Sequence, residues 1–249
     1  AGFIPLSGSG RDIYNFNPGW RYYKGDMERA ETVELDDSDW EVVATPHSVE
    51  LMPAEASGCR NYQGPVWYRK WFVIPAATRG KQVFIHFEAV MGKQKVYLNG
   101  HLVKEHLGGY LPFNIDLTAN GIQAGDSCLI AVMADNSDDK SYPPGKRQYT
   151  LDFSYHGGIY RDVWMIAKSD VSITDAVDAG KVAGGGVFIH YGRISEKKAD
   201  ILIDTEVRNN GKRQRKVEVE SSLVDATGTL IKRVVAMVHL SLIHISEPT

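Results

Sequence analysis

Apolar side chains recur along this chain in short runs with a period of two. Val83, Ile85, Phe87 and Ala89 fall on one side of residues 82–90, with His86 and Glu88 on the other. Phe113, Ile115 and Leu117 likewise alternate with Asn114, Asp116 and Thr118. Successive side chains of a strand point to opposite faces, so this pattern predicts strands with one buried and one wet face. On that pattern His86 reads as a surface residue rather than a ligand. Residues 66–74 and 128–134 are apolar on both sides and predict strands buried between layers, the first of them central in its sheet. No run longer than about ten residues carries a helical repeat. The expected fold class is all-β.

Turn residues divide these runs. Residues 20–23 give the first strand, and a polar turn over residues 35–40 leads into the next. Asn99 and Gly100 between apolar residues predict a tight hairpin, because both favour the positive φ that such a turn needs. Asn209, Asn210 and Gly211 predict a second hairpin, joining residues 199–208 to residues 216–224. In the latter run Val217, Val219 and Ser221 face away from Glu218, Glu220 and Ser222. Residues 136–148, polar and carrying Pro143 and Pro144, form a loop long enough to be functional. It delivers the chain to Asp152, which precedes the Gly157–Gly158 pair and the strand-like Ile159, Val163 and Trp164.

Residues 149–164, 108–118 and 66–72 together resemble the N-terminal sugar-binding β-sandwich of family 2 glycoside hydrolases, the group of β-galactosidases, β-glucuronidases and β-mannosidases. The resemblance runs from Trp20 to Ile166, with three motifs in the family's order. It implies a jelly-roll-like sandwich over residues 1–168, followed by a truncated immunoglobulin-like sandwich over residues 169–239. An immunoglobulin-like domain takes ~100 residues and about seven strands, more than that second segment holds. Residues 240–249 resemble a translated sequencing adaptor and read as a non-native tail. An ordinary strand is the alternative, since Val238, Leu240 and Leu242 alternate.

The resemblance also places the chemistry. Retaining glycoside hydrolysis needs two carboxyl groups ~5 Å apart. In the family both sit on a (β/α)₈ barrel of ~250 residues, for which this β-committed chain has no room. The family's acid/base glutamate follows an asparagine, and no Asn–Glu pair occurs here. No catalytic residue is therefore expected in this chain. Asp152 matches the family position, six residues before the second glycine, whose carboxylate accepts hydrogen bonds from sugar hydroxyls. A loop aspartate capping nearby N–H groups is the alternative. Asn61 and Tyr62 lie in a loop that approaches the sugar in the family, and Asn61 is the second substrate-binding candidate. Arg161 and Asp162, also in the signature, read as structural, with Arg161 tying the last strand to its neighbours.

Composition changes this picture little. At 249 residues and 43% hydrophobic, the chain can bury real cores in one or two domains. A formal net charge of -3, spread without long runs, gives no footprint for nucleic acid. No stretch reaches the ~20 apolar residues of a membrane-spanning helix. Eight histidines and the acidic run from Asp135 to Asp139 match no metal-site spacing, so no metal and no cofactor is expected. The spacing of Cys59 and Cys128 leaves their pairing open. Ala1, with no methionine or apolar leader, fits a mature form of an exported parent or a fragment cut upstream. The expected function is the non-catalytic N-terminal portion of a β-galactosidase-like exo-β-glycosidase, with a β-glycoside as the parent's partner. The alternatives are a free-standing carbohydrate-binding module and a ligand-free structural sandwich.

Overall fold

The computed structural model describes residues 11–51, 61–153 and 155–241, and the backbone of residues 5–6. It divides into two compact units, residues 1–167 and 168–249. The first carries β1 (Pro5–Leu6), β2 (Asp12–Asn15), β3 (Trp20–Lys24), β4 (Glu41–Val43), β5 (Pro65–Val73) and β6 (Gln82–Phe87). These are followed by β7 (Lys93–Leu98), β8 (His101–Leu107), β9 (Phe113–Asp116), β10 (Ser127–Asp135) and β11 (Val163–Lys168). A five-stranded sheet runs β1-β2-β11-β6-β9 and a six-stranded sheet runs β4-β3-β5-β10-β7-β8.

Alternation builds the core between those sheets. Val83, Ile85, Phe87, Phe113, Ile115, Val163 and Met165 come from one sheet. Trp20, Val66, Tyr68, Phe72, Val96, Cys128, Ile130 and Val132 come from the other, and all pack as one cluster. The unit is thus a β-sandwich, and β5 is central as the double-sided pattern predicts, paired with β3 and β10. Asn99 and Gly100 take φ values of 48° and 86° in the turn between β7 and β8. Cys128 is a free, fully buried thiol whose pKa burial pushes up to about 12. Cys59 and most of the 55–64 loop lie outside the described residues.

Two cations inside β5 bind loops to this core. Lys70 points inward and donates to the carbonyls of Phe16 (2.7 Å) and Pro18 (2.8 Å), holding the turn that joins the two sheets. Burial pulls its pKa down to about 7. Arg69 points outward under the 26–40 segment, where Ala30 and Trp40 pack on Trp67 and Ala131. Its guanidinium pairs with Asp37 at 2.8 Å and donates to the carbonyls of Ala30, Thr32 (2.8 Å) and Leu35 (3.2 Å).

The first strand expected, over residues 20–23, is preceded by β2, whose Tyr14 reaches the core. Only one of its four residues is buried, too little alternation to read from sequence.

The second unit contains β12 (Val171–Ile173), β13 (Val187–Ile194), β14 (Ala199–Thr205), β15 (Val207–Asn209), β16 (Arg215–Val224) and β17 (Leu230–Leu240). They pair as β12–β15, β13–β14 and β16–β17, all antiparallel. The hairpin expected between residues 199–208 and 216–224 does not form. Asn210 N–H instead donates to Asp170 O (2.8 Å), Gly211 packs against the Asp170 carboxylate, and the Asn209 amide holds Arg213 O (2.8 Å). The turn is pinned to Asp170, which lays β15 beside β12 and frees β16 to pair with β17. Leu240, first residue of the suspected tail, ends β17 opposite Arg215; residues 242–249 lie outside the described residues.

Two-stranded sheets are marginal alone, and Val187, Tyr191, Ile194, Ile231, Val234 and Met237 stand exposed on them. Limited proteolysis is therefore expected to cut within residues 169–241 before it cuts the sandwich, with fragments read by mass spectrometry. Equal resistance of both units would contradict the difference in packing.

Candidate functional site

The loop web that carries Asp152 begins where β10 leaves the core. Asn136, the first loop residue, is 2% exposed and works with both ends of its amide and its own carbonyl. Its Oδ1 accepts from Gly64 N–H (3.1 Å), its Nδ2 donates to Tyr62 O (2.8 Å), and its backbone carbonyl accepts from Gln148 Nε2 (2.6 Å). One buried asparagine thus fixes the 62–64 loop and the 3₁₀ turn Gln148–Thr150 together. Gln148 N–H also donates to Asp138 Oδ1 (2.9 Å), and Leu151 N–H closes the turn on Gln148 O (3.1 Å).

Leu151 is the anchor next to Asp152: it is buried and packs with Met91, Tyr155 and Tyr160. The Tyr160 hydroxyl donates to Gly109 O, which brings the 108–118 motif to the same place. Asp152 itself is exposed between Leu151 and the half-exposed Phe153. Among the described residues its carboxylate has no hydrogen-bond or ion-pair partner, so it caps none of their N–H groups. The arrangement is a free acceptor group on a turn whose flanks are tied down.

The two glycines after Asp152 are explained by close approach. Gly158 has φ of +90°, and a Cβ there would overlap the Tyr68 hydroxyl. That hydroxyl bonds His47 Nδ1 (2.8 Å) and accepts from Ile159 N–H (3.4 Å), and burial raises its pKa. At Gly157 a Cβ would stand 2.6 Å from Asn136 Nδ2. The backbone of the pair bonds its neighbours, with Val49 N–H on Gly157 O (3.1 Å) and Met91 N–H on Gly158 O (3.0 Å).

Asn61, the second candidate, is tied into the same web. Its Nδ2 donates to Tyr155 O and its Oδ1 is buried, so the amide faces inward and supports the loop from within the protein. Tyr62 likewise turns its hydroxyl to Pro65 O (2.8 Å), and its N–H donates to Glu50 Oε2 (3.0 Å). Lys24 at 2.6 Å, then that N–H, hold the Glu50 carboxyl below its ordinary range. Arg161 pairs with Glu88 (3.1 Å), which also accepts from Trp164 Nε1 (2.9 Å), and Asp162 accepts from Asn17 Nδ2 (2.6 Å). Both residues tie the β11 entry to its neighbours. Sequence reasoning missed Asn136, for which the signal was an amide placed directly after a buried strand at the head of a long loop. Among the described residues no group of three or more His, Cys, Asp or Glu side chains is placed to hold a metal.

Residues 16–169 match the profile of the sugar-binding domain of glycosyl hydrolases family 2. A β-galactosidase of Thermoanaerobacter pseudethanolicus is 34% identical over 226 residues, covering 91% of this chain and 28% of that protein. A β-glucuronidase of Formosa agariphila is 30% identical over 240 residues, covering 91% of this chain and 24% of that one. Among solved structures, Bacteroides uniformis β-glucuronidase 2, covalently bound to cyclophellitol-6-carboxylate aziridine, superimposes with a TM-score of 0.81 at 27% identity. That match covers 93% of this chain and 26% of the enzyme. The chain spans about a quarter of the length of these relatives.

Proposed function

Because the chain belongs to the glycosyl hydrolases of family 2 through their sugar-binding domain, we propose that it is the N-terminal, non-catalytic portion of a β-galactosidase-like exo-β-glycosidase. Its sandwich forms one wall of a sugar pocket completed by a (β/α)₈ barrel, and Asp152 binds the sugar. The carrying observation is the exposed Asp152 carboxylate, unpartnered among the described residues, on a turn held by Leu151, Gln148 and Asn136.

The chemistry supports that role. An ionised carboxylate accepts only, and sugar hydroxyls donate, so each good O–H···O⁻ bond in a dry site contributes about 1.5–3 kcal/mol. A carboxylate already capping its own backbone would have less to offer. Bond cleavage needs a carboxylate nucleophile and a carboxylic general acid, both of which this reading assigns to the barrel.

The purified 249-residue chain is accordingly expected to show no turnover of aryl β-galactosides or β-glucuronides. Release of the aryl group above a matched blank, lost on heat unfolding, would overturn the non-catalytic assignment.

A further inference from the structure

Leu151 and Tyr155, on either side of Asp152, turn into one apolar cluster. His156, the next residue, reaches instead to residues 47–50. Those residues run against the glycine pair: His47 N–H donates to Ile159 O (2.8 Å) and Val49 N–H to Gly157 O (3.1 Å). Between these two bonds Ser48 meets His156, its Oγ 3.0 Å from the ring Nδ1. Ser48 Oγ also lies 2.6 Å from Glu50 O. Both side chains are half-buried.

Counting protons fixes the direction of these bonds. A carbonyl oxygen only accepts and a serine hydroxyl has one proton, so the Ser48 proton goes to Glu50 O. The ring must then donate the other bond, from Nδ1–H to Ser48 Oγ. Glu50 carries the connection onward, because its carboxylate accepts from Tyr62 N–H (3.0 Å) and pairs with Lys24 (2.6 Å). Tyr62 O is held in turn by Asn136, whose own carbonyl takes Gln148 Nε2. The segment from Gln148 to His156 is thus fastened at both ends to the loop at Tyr62, with Asp152 between. His156 Nε2 has no hydrogen-bond partner among the described residues.

We propose that His156 is a positioning residue for sugar binding: its Nδ1–H, donated to Ser48 Oγ, latches the far end of the loop that presents Asp152. The inference rests on the role proposed for Asp152 and adds the group that keeps that carboxylate in place. Packing of Leu151 and Tyr155 is non-directional, whereas a hydrogen bond fixes an orientation. A carboxylate held in place before the sugar arrives loses less freedom on binding. The working atom of His156 is Nδ1, and it acts through Asp152 rather than on the sugar.

The test is steady-state kinetics of a full-length enzyme carrying this chain, with the unfolding midpoint measured for each variant. Ser48→Ala and His156→Leu are each expected to lower kcat/KM roughly three- to tenfold, the size of one neutral hydrogen bond. His156→Asn, whose amide N–H can stand where Nδ1–H stood, is expected to recover most of that loss. His156→Gln, whose amide reaches the position of Nε2, is not. In an Asp152→Asn background His156→Leu is expected to cost less than about twofold, since the latch acts through Asp152. Recovery by Gln but not by Asn would overturn the latch and make Nε2 the working atom. A His156→Leu loss of equal size in both backgrounds, or no loss in the parent, would overturn it too. The ring gives a second readout in the 249-residue chain. Nitrogen NMR at alkaline pH is expected to show His156 as the Nδ1–H tautomer, moving towards Nε2–H in Ser48→Ala. An Nε2–H tautomer in the parent would refute the latch whatever the kinetics. Unchanged kinetics for Asp152→Asn with the Nδ1–H tautomer intact would place the failure in the sugar contact and leave the Ser48–His156 bond standing.

Discussion

Asp152→Asn, made in a full-length enzyme carrying this chain, is expected to lower kcat/KM by about ten to a few hundred fold while its unfolding midpoint stays put. The factor corresponds to roughly 1.5–3 kcal/mol of charged hydrogen bonding to sugar hydroxyls. Asparagine keeps the size of the side chain but removes the charge and turns one acceptor into a donor. Stability should not follow, because the Asp152 carboxylate has no partner among the described residues to lose and its flanks are held by Leu151 and Gln148. A contact made equally in ground and transition states would appear in KM, and one made only in the transition state in kcat. Kinetics within about twofold of the parent would retire Asp152 as a sugar ligand.

The largest expected effect on stability is at Arg69. Its side chain is 0% exposed and its partner Asp37 17%, so the pair sits in the cover of the outer sheet face rather than on the surface. Arg69→Met would leave that carboxylate and the carbonyls of Ala30, Thr32 and Leu35 without their donor. Removing one partner of a buried pair costs about 3–5 kcal/mol, on the order of 10 °C in the midpoint for a unit of this size. Arg69→Lys should not rescue it, since one ammonium cannot reach four acceptors spread along a guanidinium fork. A loss below about 1 kcal/mol would show that the 26–40 segment stands without Arg69.

Where a local pattern decides the structure, the sequence was readable. Residues 66–74 announce a strand buried on both faces, and Asn99 with Gly100 announces its turn, because burial and positive φ are set by the residues themselves. The three motifs that resemble the family meet in space for a physical reason. Tyr160 bonds Gly109, and Gly158 lets the chain pass against Tyr68. The pairing in the second unit was not readable, because Asn209 to Gly211 promise a turn but Asp170, some forty residues upstream, decides what that turn is fastened to. The bond that Asn61 makes was not readable either. An amide in a loop looks available from sequence, and only the carbonyl of Tyr155 shows that it is turned inward. Lys70 and Arg69 are invisible to a hydropathy pattern, since their partners are carbonyls delivered by distant turns.

The central claim is that this sandwich lends Asp152 to a sugar pocket. A crystal structure of the full-length enzyme with a slowly hydrolysed or covalently trapped β-glycoside addresses it directly. The account predicts an Asp152 carboxylate oxygen ~2.5–3.0 Å from a sugar hydroxyl, with the 148–155 segment placed as in the chain alone. A bound sugar whose hydroxyls are all out of hydrogen-bonding reach of Asp152, with that carboxylate facing solvent or another domain, would contradict it.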